Sequence, residues 1–209
     1  MGPVHLRQAD GAGLAWTTVS RLARDGRTEH VAHGVYRFRG SPVVDDLAVR
    51  AAWLQLAPGT PAWERTPDRG VVTHRSAAAL YRIGHLPADT HEFALPGRRQ
   101  SRRQDVRLHR LRLAHDEVRR QGGLLVSSPS RTAADLLRDL EDPGAVGECI
   151  ADALRRGLDT PAALARRIAP SAARFGLPRG AGEELLGWLL ELTAAPERAT
   201  WLAEAHQSA

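Results

Sequence analysis

The residues best placed to do chemistry lie near the start of the chain. Thr17, Thr18, Arg21 and Arg24 are spaced to share the face of a helix opposite Val19 and Leu22. Hydroxyls reach phosphates or base edges, and an arginine either grips guanine through two hydrogen bonds or sits on phosphate. Arg27, Arg37 and Arg39 follow, the last two on what reads as a hairpin, where an arginine gains from the negative potential of a narrow groove. Thr17, Thr18 and Arg21 are thus candidates for base edges. Arg21, Arg24, Arg27, Arg37 and Arg39 are candidates for phosphates. An amphipathic helix with a solvated arginine face has the same pattern, and these residues alone leave both readings open.

A second basic stretch is denser. Arg98, Arg99, Arg102, Arg103, Arg107, Arg110 and Arg112 face a lone Asp105, which gives +6 in fifteen residues. It sits on a loop and the strand after it, so successive arginines need not share a face. It suits phosphates without base reading, an acidic partner, an RNA, or a plain solvated turn.

The rest of the sequence excludes more than it offers. All 29 basic residues counted as Lys plus Arg are Arg, and Asn is absent as well. Without lysine there is no phosphate loop of the usual kind, no Schiff base and no Ser-Lys dyad. The single Cys149 excludes a disulfide framework and reads as a small buried apolar residue. His30 with His33, and His109 with His115, have no neighbouring Cys or convergent acids, so no metal site is expected. No Gly-x-Ser-x-Gly elbow occurs, and the adjacent pairs Asp45-Asp46, Glu141-Asp142 and Glu183-Glu184 read as helix starts. No catalytic residues and no cofactor are expected, and the chain is not expected to be an enzyme. With no apolar run of membrane-spanning length and no signal peptide, a cytoplasmic location is expected.

The net charge of +5 is unevenly spread. Residues 1–120 carry 20 Arg against 12 acids, and residues 121–209 carry 9 Arg against 12. GC-rich coding would supply arginine throughout but not this segregation. A basic part that meets a polyanion, joined to a mildly acidic part that meets something else, accounts for it.

The elements that must position these residues follow from periodicity and punctuation. A short helix is expected over 4–13, broken by Gly11 and Gly13, and a second over about 15–25, ended by Asp25-Gly26. Two short strands around Val31 and over Val35–Phe38 turn at His33-Gly34. Helix, turn, helix and hairpin is the order of a winged helix-turn-helix, expected over 1–40. Beyond it, 41–209 reads as a mixed α/β domain, so the fold class is α+β. A helix is expected over 45–57, and a loop over 58–70. Val71-Val72 is read as leading into a helix capped by Thr73 and running to about Ile83. Residues 91–126 alternate as β-structure. From about 130 the chain reads as helical, with Ser130 as the first cap and helices over 144–156, 161–168, 181–193 and 196–206.

Four stretches carry a family resemblance. They are Leu22-Ala23-Arg24-Asp25-Gly26-Arg27 followed by His33-Gly34-Val35-Tyr36-Arg37; Thr73 to Leu80, with His74 and Ser76; Val106-Arg107-Leu108-His109-Arg110; and Ser128 to Leu136, with Arg131, Thr132 and Asp135. In order and spacing the chain resembles the AbiEi-type antitoxins of bacterial type IV toxin–antitoxin, or abortive-infection, systems, in their actinobacterial form.

The resemblance implies an N-terminal winged helix that binds operator DNA of its own operon, and a second domain that opposes a nucleotidyltransferase toxin. The implied function is that of a transcriptional autorepressor and antitoxin. The alternative is a protein-interaction module, or a solitary regulator, without strong DNA binding. Family members usually open with a further helix, of which only Met1-Gly2-Pro3 could be a remnant here, so the first helix is expected to be missing. Thr28 stands where the family tends to place an apolar residue. Related chains continue into an endonuclease domain, and with the sequence ending at Ala209 and lacking lysine none is expected here. His74, Ser76, Arg131, Thr132 and Asp135 are read as structural, with Arg131 paired to Asp135 one helical turn on.

Overall fold

The computed structural model describes residues 3–11, 13, 15–42 and 45–207. The expectations placed on Ala12 and Leu14 lie outside these residues.

The first element among the described residues is a strand, rather than the helix expected from residue 4. β1 (Val4–His5) pairs antiparallel with β3 (Val35–Phe38), and β3 pairs with β2 (Thr28–Ala32), giving the order β1-β3-β2. The helix α1 (Leu6–Gly11) starts two residues later than its apolar pattern suggested. Tertiary pairing decides this: Leu6 N donates to Gly34 O at 2.8 Å, and His5 N donates to Gln8 Oε1 at 3.1 Å. Gly34, at φ +71°, is required, since a Cβ there would stand 2.9 Å from His5 Nε2.

α2 (Trp16–Arg24) buries Val19. It stops in a Schellman arrangement: Gly26 N donates to Ala23 O at 3.1 Å and Arg27 N to Leu22 O at 2.9 Å. Val31, Ala32 and Val35 of the hairpin pack into the same apolar cluster as α3 (Leu47–Leu56).

α3 is apolar on most sides, and it ends on an unusual cap. Arg65 is 1% exposed and donates to the carbonyls of Trp53, Leu54 and Ala57, the last turn of the helix, with its guanidinium 4.2 Å over the Trp53 ring. The negative helix end and the orphan carbonyls stand in for a carboxylate. Burial lowers the Arg65 pKa to about 10, so the group stays charged at neutral pH.

The second sheet has the order β6-β5-β4-β8-β7 and is mixed. Its strands are β4 (Val71–Val72), β5 (His91–Leu95), β6 (Val106–Arg110), β7 (Val118–Gln121) and β8 (Leu124–Ser127). β4 runs antiparallel to β5 and parallel to β8, while β5 and β6 are parallel. Val71 and Val72 are therefore the central strand, fully buried, and not the approach to a helix. α4 (His74–Tyr81) follows at once. Thr73 occupies its N-cap position but does not cap it; the hydroxyl donates to Asp135 Oδ2 at 3.3 Å instead.

The helical part comprises α5 (Pro129–Arg138), α6 (Pro143–Arg155), α7 (Pro161–Ile168), α8 (Gly182–Leu192) and α9 (Arg198–Gln207). The first three share one start signal, Pro at the opening of the helix behind a Ser, Asp or Thr cap. Ser128, not Ser130, caps α5 by accepting from Arg131 N. Leu136, Ile150, Leu164, Ile168, Leu186 and Leu189 are at the heart of a second apolar cluster, closed by Trp201. Among the described residues no helix is long and apolar enough to cross a membrane.

Candidate functional site

The basic face of the first forty residues keeps most of its expected members. Thr17, Arg21 and Arg24 are exposed on α2 opposite buried Val19, and Thr18 is half-buried. Arg27 and Arg39 are exposed and lie at the two feet of the hairpin, where Arg39 N donates to Arg27 O at 2.9 Å. Arg37 differs. Its Nε stands 2.5 Å from Glu29 Oε1 on the neighbouring strand, and its side chain is 14% exposed. That charge is answered within the hairpin.

The basic stretch divides in the same way. Arg99 donates to Leu56 O, Arg103 holds Asp105 with both arms and also reaches Gln55, and Arg107 approaches Asp139 at 3.5 Å. Arg98, Arg102, Arg110 and Arg112 are exposed, with no carboxylate at salt-bridge distance among the described residues. Strand alternation turns Arg110 away from Arg107. Three of the seven arginines thus have partners within the chain, and four have none among the described residues.

The family-motif residues converge. Arg131 Nε donates to Asp135 Oδ2 at 2.9 Å, and Arg131 Nη1 donates to Glu117 Oε1 at 2.8 Å. Arg138 reaches the other oxygen of Asp135 at 3.0 Å, and Arg167 of α7 shares Glu117 at 2.5 Å. Thr132 meets Ser127 Oγ at 2.8 Å. Ser76 donates to Thr90 O at 3.0 Å and accepts from Glu92 N at 2.9 Å, which fastens α4 to β5.

His74 stands apart from this network. It opens α4 at φ +50°, a region that side chains rarely occupy, and is 2% exposed. Its ring stacks on that of His109 from β6, with centroids 3.8 Å apart and planes at 14°. His109 Nε2 meets Glu92 Oε2 at 2.6 Å. Asp139, which ends α5, places Oδ2 3.5 Å from His74 Nε2 and 3.7 Å from His109 Nδ1. Neither ring nitrogen of His74 makes a hydrogen bond among the described residues. Burial and then the neighbouring His109 hold the His74 pKa well below its usual value, against the opposing pull of Glu92 and Asp139.

The fold has a precedent among solved structures. The chain is similar to the RV2827C protein from Mycobacterium tuberculosis, a crystal structure, at 16% sequence identity and a TM-score of 0.51 over 99% of this chain and 77% of that one. A likeness at this identity bears on the α+β fold alone. No protein-family model matches the chain, and no curated protein matches it.

Sequence spacing hid the histidine cluster. His109 is exposed by neither charge run nor motif as a partner of His74, and His115, its neighbour in sequence, sits exposed in a 3₁₀ turn before β7. The convergent acids sought near His109 are Glu92 and Asp139, delivered by a parallel strand and a helix end. Strand alternation puts Arg107 and His109 on one face of β6, and the register sets that face beside Glu92 of β5.

Proposed function

We propose that this chain is a cytoplasmic DNA-binding autorepressor and the antitoxin of a type IV toxin–antitoxin system. In this reading residues 1–40 work as a winged helix-turn-helix and 41–209 as the antitoxin domain. The observation that carries the DNA-binding half is the exposure of Arg21 and Arg24 with Thr17 on α2, beside Arg27 and Arg39 of the hairpin. α2 serves as the recognition helix and the hairpin as the wing, whose arginines lie along the backbone. Every phosphate contact comes from arginine, whose planar fork grips two oxygens at once. The antitoxin half rests on the sequence motifs and their order. Their residues Arg131, Thr132 and Asp135 maintain the scaffold, and the toxin would meet the surface.

The experiment is a binding titration of the chain against DNA from upstream of its own reading frame, across a salt series. Arg21→Ala and Arg24→Ala are expected to weaken binding and to reduce the slope of log K on log salt by about one each. Unchanged midpoints and slopes in both variants overturn the reading.

A protein-interaction module is the second reading, favoured by the four exposed arginines 98, 102, 110 and 112. Charge reversal at Arg98 and Arg102 should then abolish neutralisation of a co-expressed nucleotidyltransferase toxin in a growth assay, while DNA binding persists. Full rescue by that variant counts against it.

A further inference from the structure

We propose that His74 Nε2, His109 Nδ1 and Asp139 Oδ2 form a binding site for one divalent transition-metal ion of the zinc class. The ion ties the start of α4 and the strand β6 to the end of α5. The three donor atoms lie within 4.8 Å of one another. For metal–ligand bonds of about 2.0–2.1 Å, the edges of a tetrahedron are about 3.3–3.4 Å. The separations of 3.5 Å and 3.7 Å from the Asp139 oxygen to the two nitrogens are near that edge, but the rings are stacked at 3.8 Å and 14°, so the His74 ring must turn out of the stack before both in-plane lone pairs reach one ion. Two imidazoles and one carboxylate are a donor set for zinc, cobalt or nickel rather than for calcium or magnesium, which take oxygen.

Three features of the surroundings support a ligand there. His74 is a buried imidazole with both nitrogens unsatisfied among the described residues, a costly state that a metal bond relieves at Nε2. Its φ of +50° is strain that the fold holds at the residue opening α4. Glu92 accepts from His109 Nε2, which leaves Nδ1 as the free lone pair and fixes the ring, as carboxylates behind metal-bound histidines do. The Arg75 to Glu141 contact, at 2.6 Å, ties α4 to the turn after α5, two residues beyond Asp139.

Two arginines oppose binding, and Arg138 Nε stands 3.9 Å from the other Asp139 oxygen. Arg107 Nη2 is 3.5 Å from Asp139 Oδ2 and competes for the same oxygen. Its side chain is 63% exposed, so it can swing into solvent when an ion arrives. Asp139 itself is partly exposed and marks the entry path and the open fourth position.

The test uses the full chain, stripped with a chelator and then titrated near neutral pH with Zn²⁺ alone against a chromophoric competitor. A parallel titration uses Co²⁺ alone, followed by its ligand-field absorbance. The expected result is one ion per chain and a higher melting temperature with Zn²⁺. His109→Gln and Asp139→Asn are expected to lose at least tenfold in affinity, and Glu92→Gln about 10–100-fold. His33→Gln and His115→Gln should bind as the native chain does. Arg107→Ala should bind more tightly, since it removes a competing cation. Because His109 is packed inside, Asp139→Asn, at the exposed edge, decides the matter if His109→Gln does not fold. Absence of stoichiometric binding overturns the proposal. So does native affinity in Asp139→Asn, or no gain in Arg107→Ala.

Discussion

Arg131 and Asp135 stand one helical turn apart on α5, joined by a 2.9 Å hydrogen bond, with the Asp135 side chain only 1% exposed. In water such a pair contributes about 0.3–0.5 kcal/mol. Here it is buried, and its other contacts are made by Glu117 just ahead of β7, Arg138 of α5 and Thr73 ahead of α4, while Arg167 of α7 reaches Glu117 in turn. The pair is the junction between the sheet and the helical part. Its energetic weight comes from what an isolated partner would suffer if the other were removed.

Asp135→Ala should therefore destabilise the chain by about 3–5 kcal/mol, since it leaves Arg131 buried with half its partners lost. Urea unfolding would measure it. A loss below about 1 kcal/mol would show that the junction is dispensable.

Glu117 supplies a pH dependence. Burial alone would raise its pKa, but the Ala114 N–H, Arg131 and Arg167 together outweigh that and hold it below its ordinary 4.5. A lowered folded-state pKa means stability that is present above the unfolded value and lost as pH falls through the folded one. Melting temperatures on acidification below pH 4.5 should fall more steeply for the native chain than for Glu117→Gln. Parallel curves would remove Glu117 as a contributor.

Thr28 is buried, and its hydroxyl has no partner among the described residues. An unmade hydrogen bond of this kind costs about 1–3 kcal/mol. Thr28→Val keeps the shape and removes the orphan, so the melting temperature should rise. A fall would mean that the hydroxyl is satisfied in solution.

Two glycines of the helical part should respond oppositely. A Cβ at Gly147 would lie 2.4 Å from Leu189 O, where α6 crosses α8, and backbone cannot step aside cheaply. Gly147→Ala should cost about 1–3 kcal/mol. At Gly187 the nearest atom would be Leu202 Cδ1 at 3.4 Å, an ordinary contact. Gly187→Ala should stabilise by up to about 1 kcal/mol through helix propensity. Equal shifts in thermal melts would contradict the crossing geometry.

Arg37 and Arg24 separate structural from solvated charge. Arg37 is taken by Glu29, whereas Arg24 is exposed. If the chain binds DNA as proposed, Arg37→Ala should leave the salt slope of that binding near its native value, and Arg24→Ala should lower it by about one. The reverse ranking would place the contact on the hairpin instead.

Local features were legible without coordinates. α7 spans the expected 161–168, the hairpin turns at His33-Gly34, and Gly26 closes α2, because periodicity, caps and left-handed glycines act over a few residues. The Arg131–Asp135 pair was legible for the same reason, as neighbours one turn apart. Val4-His5 and Val71-Val72 were misread because two-residue strands carry no period and exist only through their partners. The sequence by itself determined the α+β content, the all-arginine charge and its concentration before residue 120. Only the tertiary structure decided which arginines are free. Only it brought His74, His109 and Asp139 together, because their meeting depends on the strand order β6-β5-β4-β8-β7 and on where α5 ends, distances in sequence that no local pattern spans.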